Sequence, residues 1–157
     1  MNDTKARSTQ HALPREEEEI ESFAREWYRK LDEHVLVEEL LPMLHPEVEF
    51  RIPEGVLRGH DGFRELYQGE RGWVRSFFDE VHTLNRVSVS WSGERAMVDV
   101  VVNWQGHRWA GPAARSQWIG FDVYQEWEMS RSPETGAPVI NRYVVNELRP
   151  MPGSPPL

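Results

Sequence analysis

Six histidines, no cysteine and a dispersed set of carboxylates are the groups in this 157-residue chain that can do chemistry. An imidazole with an ordinary pKa of about 6.5 can take a proton from a bound molecule and return it near neutral pH. His82 and His107 fall in segments that read as strand. None of the six histidines stands at HxH, HxxxH or HExxH spacing, so no metal is expected. The absence of cysteine excludes disulfides, thiol catalysis, cysteine-based zinc sites and iron–sulfur clusters, and no cofactor is expected.

Other side chains are candidates for holding a ligand. Tyr28 lies on the apolar stripe of the first helical segment, where its hydroxyl can meet a ligand or be satisfied in the core. Glu54 and Arg58 flank a turn at Gly55. Seven tryptophans, Trp104 among them, fit an aromatic-lined cavity, a subunit contact or core packing.

The elements that must position these residues follow from hydrophobic period. Residues 1–13 are polar and aperiodic and residues 150–157 are rich in Pro, Gly and Ser, so both read as flexible tails around one domain at 14–149. Pro14 and the acidic run Glu16 to Glu19 suit a helix start. Ile20, Phe23, Ala24, Trp27, Tyr28 and Leu31 then recur at helical spacing up to about His34. A second short helix is expected over 35–44, kinked or ended by Pro42. Val48, Phe50 and Ile52 alternate with polar residues as a strand that Pro53 and Gly55 end. A third helix, capped by Asp61 and interrupted at Gly69 and Gly72, should carry Phe63 through Phe78. Four antiparallel strands follow from His82 onward, the first two joined by a tight turn at Gly93. This is an α+β domain with its helices on one face of a sheet.

The formal charge is −8, and its 18 basic residues form no stripe, so no nucleic-acid partner is expected. No apolar run is long enough for a membrane span and the N-terminal segment lacks a secretory core, so a cytoplasmic protein is expected.

The order of WYRKLDEHVLVEELLPMLHPEVEFRIP, the Gly59 turn and helix, and the hairpin VHTLNRVSVSWSGERAMVDVVVNW resembles the nuclear transport factor 2-like superfamily and its SnoaL-like group over residues 16–149. The resemblance implies a cone-shaped, curved, mixed sheet, largely antiparallel, with the N-terminal helices on its concave face enclosing an apolar pocket, and a homodimer formed through the sheet. It is a fold of isomerases, dehydratases, polyketide cyclases and non-catalytic subunits. Positions that hold chemistry in the steroid isomerases carry Trp27 and Ile52 here, with Asp122 near a third acidic position. The scytalone dehydratases are similar in placing an aspartate after the first helix and two histidines 25 residues apart, matched by Asp32, His82 and His107. That implies a cofactor-independent lyase or isomerase acting on a small, partly apolar, cyclic molecule. Asp32 would fix a histidine tautomer, and Trp27, Tyr28, Glu54, Trp104 and Asp122 would contact the ligand. The alternative is a binding or assembly protein that uses the same fold without chemistry.

Strand register decides which histidine can take part. Pairing Ser92 with Arg95 sets Val87 opposite Val100, Val89 opposite Val98 and Trp91 opposite Ala96, one apolar face. His82 would then oppose Gln105 on the polar face, with His107. A one-residue bulge near Asn85 or Arg86 would turn His82 and Leu84 inward, and Gly106 could do the same for His107.

Overall fold

The structure, a computed structural model, describes residues 9–11 and 14–157. The rest of the expected N-terminal tail, residues 1–8 and 12–13, lies outside the described residues. Helix α1 (Pro14–Glu33) opens with Glu16 and Glu17 at the positive end of the helix dipole and carries Lys30 in its last turn. Its stripe of Ile20, Ala24, Trp27, Tyr28 and Leu31 is buried. The solvent face is laced by ion pairs such as Arg25–Glu21 and Arg29–Glu33, which are exposed and contribute little to stability. The helix ends where His34 takes a left-handed φ of 53°, and Val35 N–H closes on Lys30 C=O.

Residues 35–44 do not form the expected α-helix. Two 3-10 turns, Val37–Glu39 and Leu41–Met43, cover them, because Pro42 cannot donate to a continuing helical ladder. Strand β2 (Leu44–Ile52) turns at Pro53–Glu54 into β3 (Gly55–Arg58), a strand that the Pro/Gly composition concealed. Helix α2 (Gly59–Gln68) follows, with Arg58 in place of Asp61 at the cap and no side-chain cap bond. It is separate from the short α3 (Trp73–Ser76), and Phe77 and Phe78 lie beyond both. Strands β4 (Phe78–Ser92), β5 (Arg95–Arg108), β6 (Gln117–Arg131) and β7 (Pro138–Pro150) run antiparallel in sequence. β2 joins β7 in parallel, so the sheet is mixed.

Thr9–His11, expected in a flexible tail, form strand β1 on the β4 edge. The sheet order is β1-β4-β5-β6-β7-β2-β3, open at both ends. Residues 150–157, also expected as a tail, are tied back by Met151 N–H to Gly120 C=O and by Arg108 to the Pro156 carbonyl. Proline and glycine there rule out a regular element but not docking.

The helices cover one face of the sheet. Trp27 meets Phe63 and Tyr143 at 5.8 and 6.0 Å between ring centroids, and Trp127 meets Tyr143 at 5.5 Å. Trp27 and Trp127 are 1% and 0% exposed, and burying side chains of that size stabilises by roughly 4–6 kcal/mol each before ordering costs.

The register of β4 on β5 is the decisive detail. Ser92 pairs with Arg95 through a two-residue turn in which Gly93 has φ 67°, and Val87 opposes Val100 as expected. Between Leu84 and Arg86 the register slips, leaving Asn85 without a partner. From there His82 opposes Trp104 instead of Gln105. Trp104 lies on the buried side of β5 with Val98, Val100 and Val102, so the bulge turns His82, Leu84 and Glu80 toward the helices. Deleting Asn85 should restore regular pairing and drive these side chains outward. Urea unfolding is expected to show a loss of about 3 kcal/mol or more, as for a buried charged pair broken apart, whereas Asn85→Ala costs far less. A deletion no more harmful than Asn85→Ala would contradict the register argument.

Candidate active site

Asp32 occupies the last turn of α1, and its two carboxylate oxygens take two donors from one residue of β4. Oδ2 accepts the His82 backbone N–H at 2.9 Å and Oδ1 meets His82 Nδ1 at 2.5 Å. A carboxylate accepts and does not donate, so the Nδ1 position carries a proton and Nε2 is left as the ring's basic nitrogen. Nε2 has no hydrogen-bond partner among the described residues, and the imidazole lines a cavity. The His82 side chain is only 3% exposed. Tyr28 stacks on the ring at 4.7 Å, and Trp73 and Trp104 lie near-parallel to it, each at 6.1 Å. Hydrogen bonds and stacking together leave the imidazole little rotational freedom.

The cavity holds about 440 Å³, within the range for a small-molecule site. Leu31, Phe50, Leu66, Val102, Val123 and Leu148 supply apolar wall, and Trp27, Trp73, Trp104 and Tyr143 supply aromatic wall. Gln125 and Ser76 are polar lining residues beside His82, while Glu54 and Arg71 are exposed lining residues and Leu157 of the C-terminal segment also lines it.

A second acid–histidine pair lies beside the first. Glu80, whose side chain has no solvent exposure, accepts Trp104 Nε1–H at 2.9 Å and pairs with His34 Nε2. Burial pushes its carboxyl above the usual carboxylate range, opposed by these hydrogen bonds and by His82 nearby. It thereby clamps the indole that stacks on His82.

The residues expected at the site divide. Asp32, His82, Trp27, Trp104 and Glu54 are at the dyad or cavity. Tyr28 is buried behind His82, its hydroxyl donating to Gln125 Oε1 at 3.1 Å, and it does not line the cavity. His107 is on the opposite sheet face, stacked on Phe78 at 5.9 Å. Gly106 adds no bulge: its pro-Cβ side faces Glu80, which sends the neighbouring His107 outward. Asp122 is also on the outer face, accepting Asn103 Nδ2–H at 3.0 Å, so neither it nor His107 can touch a ligand in this cavity.

Glu80, Gln125, Tyr143 and Trp73 were not foreseen. Gln125 had a signal, since it interrupts the inward series Ile119, Phe121, Val123, Trp127 and Met129 with a polar residue. Glu80 had none, because its side of the strand depends on the bulge.

No family model matches the sequence, and neither does any curated protein. Solved structures do match the fold. A nuclear transport factor 2-like superfamily protein from Salmonella enterica aligns with TM-score 0.70 at 16% identity, over 90% of this chain and 96% of that one. The hexachlorocyclohexane dehydrochlorinase LinA-type3 from Novosphingobium barchaimii aligns at 0.69 and 17%, over 90% and 96%. A protein of Novosphingobium aromaticivorans assigned as a scytalone dehydratase aligns at 0.66 and 18%, over 96% and 89%. The chain has the nuclear transport factor 2-like fold, an α+β architecture whose solved members include dehydratase, dehydrochlorinase and isomerase-like proteins. No helix of the described residues is long and apolar enough to cross a membrane.

Glu80 gives the site a pH signature. A carboxyl whose pKa is raised by folding adds stability below its unfolded value, ordinarily 4.5, and that stability is lost as pH rises through the folded value. Glu80→Gln removes this titration. Urea unfolding from pH 4.5 to 8 should therefore show the native protein losing ground to the variant as pH rises. A difference that stays flat across that range, or narrows, would contradict it.

Proposed function

We propose that the protein is a lyase or isomerase that needs no cofactor and acts on a small, partly apolar, cyclic molecule. The observation that carries this reading is His82, paired with Asp32, set in the wall of a largely apolar cavity. His82 Nε2 takes a proton from carbon next to an electron-withdrawing group. The resulting imidazolium is held by Asp32 on Nδ1 and returns the proton either to a leaving group, which gives elimination, or to another carbon, which gives isomerisation. Apolar walls exclude water from the carbanion-like intermediate, and the aromatic rings about His82 favour its transient positive charge. Glu80 has a positioning part through Trp104. The non-catalytic alternative gains no support from a histidine so fixed, since binding alone does not require an oriented imidazole.

The substrate need not be known to test the proton transfer. In D₂O, 1-tetralone, a bicyclic ketone of suitable size, exchanges its α-hydrogens wherever a base and a pocket act together. The protein is expected to speed this exchange, read by proton NMR. His82→Gln should lose about 10²-fold or more, in keeping with the contribution of a positioned acid–base group, and Asp32→Asn should fall between the two. Exchange at the uncatalysed rate with the native protein, or undiminished in His82→Gln, would sink the proposal.

A further inference from the structure

Among the described residues, two that are not glycine adopt left-handed backbone: His34 with φ 53° and Asp79 with φ 50°. That conformation crowds a side chain, and glycine or asparagine suits it best. His34 stands there just past α1, where glycine commonly closes a helix. Asp79 immediately precedes Glu80, within the register shift of β4 between Phe78 and Val81. The two strained positions thus flank a single contact, the pairing of His34 Nε2 with the Glu80 carboxylate. Strain kept at both ends of one interaction points to a use for it beyond packing.

As a mere fastener between α1 and β4 the pair is a poor choice. The Glu80 side chain has no exposure and that of His34 is 25% exposed, and apolar replacements of buried charged pairs are often neutral or stabilising. Neither residue lines the cavity. Their reach is through Trp104: Glu80 Oε1 accepts Trp104 Nε1–H at 2.9 Å, and that indole lies within 12° of parallel to the His82 ring and stacks on Trp73 at 4.9 Å. Gly106 of β5 leaves the room, since a Cβ there would stand 3.1 Å from Glu80 Cγ. Glu80 also shares the inner face of β4 with His82, and charge on His82 favours the ionised carboxylate, an attraction that works equally in reverse. The other titratable groups around the two pairs are already engaged. Asp32 of α1 holds His82, Tyr28 of α1 stacks on its ring and donates to Gln125, and Tyr67 of α2, which Glu39 also influences, donates to Val35 C=O at 2.7 Å. His34 is the basic group that another element brings to Glu80.

We propose that His34 is a positioning residue for proton transfer at His82, acting through Glu80. It pins Trp104 against the imidazole and holds a second carboxylate beside it, so that Asp32 and Glu80 together favour the imidazolium formed when Nε2 takes a proton. The two pairs are crossed: α1 supplies an acid to the base of β4 and a base to its acid. Burial alone would favour the protonated, uncharged form of Glu80, and the bonds from His34 and Trp104 oppose it. This part for His34 rests on the reading of His82 as the base.

The test follows protonation of the His82 ring by nitrogen-15 NMR in the native protein, His34→Gln, His34→Gly and Glu80→Gln, each first checked for a cooperative thermal transition. Exchange of 1-tetralone is measured on the same samples. His34→Gly relieves the left-handed backbone, so it keeps the test open should the glutamine variant fold poorly. Losing the charge of a neighbouring carboxylate makes the imidazolium less favourable, so the His82 midpoint should move to lower pH in all three variants. A weaker base takes a proton more slowly, and exchange above the midpoint should fall about threefold or more, though less than in His82→Gln. A pair that only fastened α1 to β4 would shift the unfolding temperature and leave the midpoint in place. A midpoint unmoved or raised in the His34 variants would therefore overturn the proposal while the acid–base reading stands. A lowered midpoint with no exchange by the native protein would overturn the acid–base reading alone, since the coupling of His34 to the His82 ring would remain.

Discussion

A strand keeps one face against a core only by strict alternation, and β4 needs the extra residue Asn85 to bring Leu84, His82 and Glu80 to the face that Val87 and Val89 occupy, with a second register shift between Phe78 and Val81. On the turn side of the bulge, Val87, Val89 and Trp91 face the helices; on the other side Leu84, His82 and Glu80 do. Without the inserted residue both acidic–histidine pairs would come apart, since Asp32 and His34 reach β4 from the helix side. The dyad and the Glu80 clamp both follow from the slip at Asn85.

The rest of the molecule holds what the bulge delivers. α1 ends at His34 in a left-handed conformation, which stops the helix one turn past Leu31 and leaves Asp32 facing β4. The stacked rings of Tyr28, His82, Trp73 and Trp104 resist rotation of the imidazole, and Glu80 fixes Trp104 by its indole N–H. Burying Glu80 opposes stability at neutral pH unless its hydrogen bonds offset the desolvation. A carboxyl kept under those conditions is consistent with a positioning part rather than with packing alone.

Much of this was legible in the sequence. Helical spacing from Ile20 to Leu31 and the alternation of β5 and β6 specify where apolar side chains go, because burial of those side chains is what selects the elements. Asp32 and His82 were identifiable through family resemblance, and the pairing of Ser92 with Arg95 through the Gly93 turn. The bulge was visible only as one of two possible sites, Asn85 or Arg86, since an inserted residue leaves no mark on composition. His107 matches the family's 25-residue spacing yet faces outward, because the strand continues its alternation through Gly106. β3 was hidden by Pro53 and Gly55, which end a strand and begin a hairpin with the same residues. Glu80 and Tyr143 take their places at the site from what they touch, and contacts between residues far apart in the chain are not written in local pattern.

The central claim is that His82 is held on the cavity wall as a neutral base, with Nδ1 protonated toward Asp32 and Nε2 free. Nitrogen-15 NMR of the histidine side chains reads this directly at a pH where the ring is neutral. The account predicts that His82 carries its proton on Nδ1, slowly exchanging and strongly deshielded, and that Asp32→Asn removes that signature. A proton on Nε2, or a His82 ring that averages between tautomers as a free imidazole does, would contradict it.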